Sequence, residues 1–529
     1  MSASIILSDL AWATPDGRSL FSNLNLAFDS ERTGLVGRNG VGKTTLLKLI
    51  GGDLSPRAGS ITTTGRLAIL CQIVQLGREE TIGDLFGASQ GLDVLGRAAS
   101  GAATAEELAT ADWTLEERIA DALGNLGLDA RASTPLDRLS GGQRTRAALA
   151  ALIFREPDFI LLDEPTNNLD RDGRHAVTDL LARWRKGAII VSHDRTLLDT
   201  MDSIVELTSL GAARYGGNWS YYRERKAFEL AAARHDLAAA ERRVAQIDDT
   251  RQLVTERKAH RDKAGLRKKA RGDTPRIELG RLKNKSENTG GSNARLAARR
   301  REQAQAAMDE ARRRIEILQP MSVSLPPTGL QASKTVLAIE GASVGYEPGR
   351  PIIRDLSFKL VGPQRVAITG PNGCGKTTLL ALLTGTLKPW RGTVELMTGF
   401  AMLDQTVGLL DPTKSIRDNF LLLAPEADEN TCRAALARFM FRADAALQTV
   451  ASLSGGQMLR AGLACVLGQP RPPALLILDE PTNHLDIDSL EIVEAGLRAY
   501  DGALLVVSHD EGFLTSVGMT SRLDLGTIQ

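Results

Sequence analysis

Short apolar runs without polar alternation recur along the chain, among them RVAITG (Arg365–Gly370) and ALLILD (Ala474–Asp479). That pattern predicts strands buried on both faces of a parallel sheet. Intervening stretches such as TTLLALLTG (Thr377–Gly385) carry helical spacing instead. Strands alternating with helices predict an open α/β sheet with right-handed crossovers. The middle of the chain follows another period. Leu230, Ala233, Leu237, Ala240, Val244 and Ile247 recur at spacings of three and four, a heptad seam that Ala304, Met308, Ala311, Ile315 and Leu318 repeat. Gly272, Pro275, Gly280, Gly290 and Gly291 interrupt it. The pattern predicts two antiparallel helices joined by a turn-rich tip. The first has roughly 45 residues and a reach on the order of 65 Å at about 1.5 Å per residue.

The α/β pattern occurs twice. GRNGVGKTT at Gly37–Thr45 recurs as GPNGCGKTT at Gly370–Thr378, and LSGGQ at Leu139–Gln143 recurs at Leu453–Gln457. ILLDEPTNNLD, ending at Asp170, recurs as LILDEPTNHLD, ending at Asp486; IIVSHD at Ile189–Asp194 recurs as LVVSHD at Leu505–Asp510. Lys43 and Lys376 lie 333 residues apart, as do Gln72 and Gln405, whereas Ser140 and Ser454 lie 314 apart. The first copy therefore holds 19 extra residues, assigned to an insertion at about 91–113. The pairs Asp163/Asp479 and His193/His509 are both 316 apart. The predicted organisation is a first domain over 1–220, a helical linker over 221–320 and a second domain over 335–529.

Charge changes the picture in one place. The whole chain carries 65 Lys plus Arg against 64 Asp plus Glu, which excludes a globally polybasic protein. Residues 221–319 nevertheless hold 26 basic and 15 acidic residues, and 251–300 alone hold 16 and 5. A solvated spacer has no need to concentrate positive charge at its far end. RNA phosphates attract such charge, with salt-dependent affinity. The linker has few aromatics beyond Tyr221, Tyr222 and Phe228, so phosphate and shape contacts are expected rather than base stacking. Cys71, Cys374, Cys432 and Cys465 lie far apart without a CxxC pair, which disfavours a disulfide framework or zinc site. No apolar run approaches the roughly 18 to 20 residues of a membrane span, and the start MSASIILSDLAW lacks the pattern of a secretory signal. A cytoplasmic location is expected.

The repeated motifs carry chemistry. Gly37, Gly40 and Gly42, like Gly370, Gly373 and Gly375, let a loop curl so that its N–H groups, around Asn39 and Asn372, converge on phosphate at a helix start. Lys43 and Lys376 bring a cation to the β- and γ-phosphates. Thr44 and Thr377 offer a hydroxyl to Mg²⁺, and Thr45 and Thr378 complete the motif. Asp163 and Asp479, each ending an apolar strand, suit the Mg²⁺ shell. Glu164 and Glu480 suit the general base. His193 and His509 are placed to hydrogen-bond the γ-phosphate, and Gln72 and Gln405 follow matching strands. In LSGGQ, Ser140 and Gly142, or Ser454 and Gly456, would form a second phosphate-facing helix start. Cys374 reads as a small residue at a variable loop position.

With these motifs in this order, twice, the chain resembles the ATP-binding cassette superfamily and specifically its ABC-F branch: two cassettes, no membrane domain and a charged helical linker. The resemblance covers essentially the whole chain. It implies two P-loop NTPase cassettes joined by an α-helical hairpin, a coiled-coil linker, in a monomer whose cassettes close head to tail on two ATPs. One composite site would combine Lys43, Thr44, Gln72, Asp163, Glu164 and His193 with Ser454 and Gly456. The other would combine Lys376, Thr377, Gln405, Asp479, Glu480 and His509 with Ser140 and Gly142. In each, the glutamine would join the threonine and aspartate around Mg²⁺. The resemblance further implies a translation factor or an antibiotic-resistance ribosome-protection protein, its linker reaching rRNA and the P-site tRNA region of the ribosome.

Several positions depart from the family pattern. Tyr346 fits the aromatic that stacks on adenine, but Thr14 occupies that place in the first copy, with Trp12 as the candidate substitute. Asn168 replaces the histidine found at His484, and Met458 stands where the first signature has Arg144. The 19-residue excess is small for the arm that some members insert there, and the chain ends twenty residues after His509, without a C-terminal coiled coil. Two alternatives stay open: the ATPase subunit of a transporter, which needs no long basic hairpin, and a DNA-binding or repair ATPase, since phosphate affinity alone does not separate DNA from RNA.

Overall fold

A computed structural model describes residues 3–70, 80–167, 169–208, 211–269, 298–310, 324–347, 349–483 and 485–527. The chain divides into two compact units, Met1–Ser220 with Met321–Gln529, and Tyr221–Pro320.

The first cassette runs through β1 (Ser4–Ala13), β2 (Ser19–Phe28), β3 (Arg32–Val36), β4 (Ala58–Thr64), β5 (Leu67–Leu70), β6 (Phe159–Asp163), β7 (Gly187–Val191), β8 (Ser203–Thr208) and β9 (Gly211–Gly216). The second runs through β10 (Thr335–Val344), β11 (Ile353–Val361), β12 (Arg365–Thr369), β13 (Arg391–Leu396), β14 (Phe400–Leu403), β15 (Leu475–Asp479), β16 (Ala503–Val507) and β17 (Ser521–Asp524). The strand orders β5-β6-β7-β3-β8-β9 and β14-β15-β16-β12-β17 define the two main sheets. Both are parallel apart from the antiparallel pair β8–β9. In β6, β7 and β16 every residue is buried, because structure covers both faces, which accounts for their unbroken apolar sequence.

Each cassette also has a three-stranded antiparallel sheet, β2-β1-β4 and β11-β10-β13, which the apolar runs do not predict. In the first cassette this sheet and the parallel sheet enclose the helix Lys43–Gly51. Ile5, Leu7, Phe21 and Phe28 cluster with Leu46, Leu47, Leu49 and Phe159. The second cassette encloses the helix Lys376–Leu383 in the same way, with Leu337, Ile339 and Leu360 against Leu379, Leu380 and Ile477. Each fully buried leucine contributes about 2 kcal/mol, so the helix that carries each P-loop lysine is held from both sides. The other face of the second parallel sheet packs on Gly455–Leu467 and Ile487–Ala499, through Leu463, Val466, Val493 and Leu497.

The insertion expected at about 91–113 contains the helices Ser89–Ala99 and Ala105–Thr110, which bury no residue and are tied by Arg97 and Glu107. In the second unit, the helix Trp219–Lys269 is 51 residues long, and 298–310 is also helical. Leu230, Ala233, Ala240 and Met308 of the heptad seam are buried. Arg301 Nε donates to Asp248 Oδ1 at 2.7 Å and joins the two helical stretches. Ala311, Ile315 and Leu318 lie outside the described residues, as does the tip with Gly272, Pro275, Gly280, Gly290 and Gly291. Among the described residues no helix is long and apolar enough to cross a membrane, and Cys374, Cys432 and Cys465 are buried free thiols.

Candidate active site

The first P-loop leaves β3 and turns into the helix Lys43–Gly51 at Gly42, whose φ of 108° lies in the left-handed region. A Cβ at Gly42 would stand 2.6 Å from the Phe21 ring, so only glycine lets the loop lie on β2. Lys43 is 7% exposed; its ammonium donates to Gly37 O at 2.6 Å, Arg38 O at 3.3 Å and Asn39 Oδ1 at 3.4 Å. Burial pulls its pKa down, against the pull of Glu164, Asp486 and Asp163. Thr44 Oγ1 donates to Asp163 Oδ2 at 2.7 Å, which joins the helix start to the end of β6. Burial raises the pKa of Asp163, opposed by that bond and by Lys43.

Glu164 comes next, with a left-handed φ of 50°, and its N–H donates to Val191 O at 2.9 Å. A glutamate rarely adopts this backbone, and surrounding structure must hold it there. Burial pushes its pKa up to about 8, opposed by Lys43. His193 Nε2 lies 3.2 Å from Glu164 Oε1. Burial, then Lys43, pushes His193 down to about 3, so the imidazole is neutral. Apart from that approach of His193 Nε2, buried Glu164 Oε1 has no hydrogen-bond partner among the described residues, and buried His193 Nδ1 has none. An unmatched buried polar atom costs about 1–3 kcal/mol. Two such atoms beside a lysine, a hydroxyl–carboxylate pair and a helix start fit a magnesium–nucleotide complex and its attacking water.

The second P-loop repeats the design with one difference. Gly375 has φ 101°, and Lys376 donates to Gly370 O at 2.8 Å and Pro371 O at 3.2 Å. It also meets His509 Nε2 at 2.9 Å. An ammonium can only donate, so Nε2 accepts. Burial, Lys376 and Arg174 together hold His509 down at about 4. Its Nε2 lies 3.5 Å from Glu480 Oε1. Glu480 has φ 45°, its N–H donates to Val507 O at 2.9 Å, and burial lifts it to about 7 against Arg174 and Lys376. Burial and Asp404 raise Asp479. Thr377, Gln405 and Asp479 line one open cavity of about 870 Å³ with Asp404. Gln72 lies outside the described residues, as do Asn168 and His484. Thr45 and Thr378 follow inside their helices, and Asn372 and Gly373 are exposed.

The signature serines have a second cause. Ser140 N-caps the helix Gly141–Phe154, its hydroxyl accepting from Gln143 N–H at 3.3 Å while Gln143 Oε1 accepts from Ser140 N–H at 2.9 Å. Ser454 and Gln457 repeat this capping box on Gly455–Leu467, at 3.4 and 3.0 Å. Gly142 and Gly456 are buried. Tyr346 is 61% exposed beyond β10. Thr14 donates to Arg18 O, and Trp12 packs on the core of the first antiparallel sheet.

The family pattern described as ABC transporter matches residues 21–167 and again 353–483, once per cassette. The tylosin resistance ATP-binding protein TlrC of Streptomyces fradiae is 31% identical, over 94% of this chain and 92% of TlrC. The energy-dependent translational throttle protein EttA of Mycobacterium tuberculosis is 30% identical, over 94% of this chain and 87% of EttA. The chain belongs to the ABC-F branch of the ATP-binding cassette family. Its cassettes bind and hydrolyse ATP. Among solved structures, the archaeal ribosome recycling factor aABCE1, determined with the stalk protein aP1, shares the fold. Its TM-score is 0.58 at 18% identity, over 96% of this chain and 86% of that one.

In this ABC-F protein, residues that the motif reading did not single out make contacts between the cassettes. Asn39 N–H donates to Asp486 Oδ2 at 2.7 Å, and Arg38 Nε meets Asp488 Oδ2 at 2.6 Å. Asp486 Oδ1 accepts from Ser489 N–H at 2.8 Å, and a Cβ on Gly456 would stand 3.0 Å from Ser489 Oγ. The second signature is thus linked, contact by contact, to the first P-loop. Burial would raise Asp486, but the Asn39 and Ser489 bonds hold it below the usual carboxylate range. Arg195 also reaches Glu494, at 2.8 and 3.3 Å. The available signal was the motif ending: both copies close on Leu-Asp, at Asp170 and Asp486.

Proposed function

We propose that this ATPase works on the ribosome as a translation factor or ribosome-protection protein, with ATP binding at two composite sites coupled to placement of the linker on rRNA near the P-site tRNA region. The observation that carries this reading is the linker's charge: 16 basic and 5 acidic residues at 251–300, between two cassettes. The names of TlrC and EttA, tylosin resistance and translational throttle, support it.

Mg²⁺, when bound, supplies charge neutralisation at the β- and γ-phosphate oxygens. Thr44 and Asp163 would hold it in the first site with Gln72; Thr377, Asp479 and Gln405 would hold it in the second. The P-loop amides with Lys43 or Lys376 grip the phosphates, and Tyr346 stacks on adenine at the second site. Glu164 and Glu480 take the proton of the attacking water, a task suited to a carboxylate whose pKa has been raised toward neutrality. Neutral His193 and His509 hydrogen-bond the γ-phosphate. Ser454 and Gly456 complete the first site from across the seam, and Ser140 and Gly142 the second. Hydrolysis removes the ligand that favours the closed state and so releases the linker.

The test neutralises the tip. Arg267, Lys268, Lys269 and Arg271 are replaced together by alanine, and ribosome co-sedimentation and ATPase rate are measured at several salt concentrations. Ribosome binding should fall at least about tenfold and lose part of its salt dependence, with ribosome-free ATPase kept within about twofold. Unchanged ribosome binding contradicts the proposal.

A further inference from the structure

The two sites differ in their acidic groups, and one aspartate makes the difference. Asp404 precedes Gln405 in the second cassette, whereas Cys71 precedes Gln72 in the first, 333 residues earlier. β14 and β15 pair in parallel with Leu403 opposite Leu478, so Asp404 and Asp479 are the next residues along the chain in each. Leu403 and Leu478 belong to the core that includes Leu463 and Val466 of the helix Gly455–Leu467. Met402 and Ile477, one residue earlier, belong instead to the core around the helix Lys376–Leu383. Alternation along the strands therefore turns both aspartates toward the P-loop helix. Both line the cavity of about 870 Å³, together with Thr377 and Gln405.

Two carboxylates thus face one cavity, and among the described residues no lysine or arginine forms an ion pair with either. Like charges held side by side repel, and a divalent cation beside them relieves that repulsion. Asp404 is also fixed in place. Its Oδ1 accepts from Gly408 N–H at 2.8 Å and its Oδ2 from Thr406 Oγ1 at 3.2 Å. A carboxylate has about four lone-pair sites, so these two bonds leave acceptor capacity for the cavity. Val407, inside the same turn, has a left-handed φ of 51° and is buried. A β-branched residue rarely adopts that backbone, so the Asp404 bonds help to hold the turn that begins at Gln405. Asp404 could serve the turn, the cavity or both, and the two roles separate by experiment.

We infer that Asp404 is a metal-positioning residue of the second nucleotide site, adding a second carboxylate charge beside Asp479 where the first site has none. The inference rests on the magnesium reading of Thr377, Gln405 and Asp479 proposed above. The second site then holds a divalent metal with its nucleotide more tightly than the first, which has Cys71 at the matching position.

Mn²⁺ binding to the full chain, in the presence of a non-hydrolysable ATP analogue, tests this. Lys43→Ala leaves nucleotide binding to the second site, and Lys376→Ala leaves it to the first. In the Lys43→Ala background, Asp404→Asn should weaken Mn²⁺ binding about tenfold, with free Mn²⁺ read by electron paramagnetic resonance. In the Lys376→Ala background the same change should alter it by no more than about twofold. Asparagine keeps an oxygen for Gly408 N–H, so a role in the turn alone gives no loss. Asp404→Cys, which installs the first cassette's residue, should match the asparagine variant, and Asp404→Glu should retain part of the affinity. The thermal midpoint of each variant reports folding. Unchanged Mn²⁺ affinity at the second site, or equal losses in both backgrounds, would overturn the inference. If Asp479→Asn also leaves Mn²⁺ affinity at the second site unchanged, the magnesium reading itself fails and takes this inference with it.

Discussion

Glu164 and Glu480 share three features: a strand end before them, a left-handed φ of 50° or 45°, and burial that raises the carboxyl pKa to about 8 or about 7. Their place after a buried strand was legible in the sequence, because ILLDE and LILDE are apolar up to the carboxylates. The strained backbone was not, since no side-chain type announces it. Burial has a measurable sign. A carboxyl whose folded pKa is raised binds more protons folded than unfolded, so its contribution is lost as pH rises from the ordinary 4.5 through about 8. Without nucleotide, Glu164→Gln should therefore gain stability relative to wild type as pH climbs through that range, by about 4 kcal/mol at pH 8. Denaturant titrations at pH 5 and pH 8 measure it; a gap that stays constant contradicts the burial argument. Asp486 stayed invisible for a different reason: its bond to Asn39 depends on what the other cassette places opposite it.

Among elements, the parallel strands were legible from unbroken apolar runs, and the antiparallel sheets were not. β1 mixes buried Ile5, Leu7 and Leu10 with exposed Ile6, and its pairing with β2 and β4 shifts register around Leu10. Such a strand has neither a solid run nor a clean alternation. The heptad seam was legible over 230–240 and at Met308, where burial follows it. The signature segment was read for phosphate binding, yet its Ser and Gln also form a capping box. The two roles separate by mutation. Glycine at an N-cap costs only a few tenths of a kcal/mol, against about 1 kcal/mol for alanine. Ser454→Gly should leave the thermal midpoint nearly unchanged yet weaken ATP binding at the first site several-fold, read by nucleotide titration. Unchanged affinity would confine Ser454 to capping.

Across the molecule, the ion pairs between cassettes among the described residues share one polarity. Arg38, Arg171 and Arg195 of the first meet Asp488, Glu511 and Glu494 of the second. At the matching positions 316 residues back, a second copy of the first cassette would offer Arg195 to Arg171 and Thr178 to Arg195, so two of the three pairs favour a first cassette meeting a second one. Glu494 is almost fully buried, and Arg195→Ala should cost about 3 kcal/mol by leaving that carboxylate unpaired. Adding Glu494→Leu should recover most of the loss. A double variant as unstable as Arg195→Ala alone would show that the pair does not act as a unit.

The duplicated cassettes and the basic linker could be read by counting residues; the seam joining the cassettes could not, because it exists only once they are folded together. On the proposal above, ATP held at this seam fixes the linker on the ribosome. The most direct measurement of this is gradient sedimentation of the Glu164→Gln, Glu480→Gln double variant with ribosomes and ATP. The variant should travel with ribosomes in ATP, do so far less in ADP, and exceed wild type under the same conditions. Co-sedimentation no greater than wild type, or equal in ATP and ADP, would contradict it.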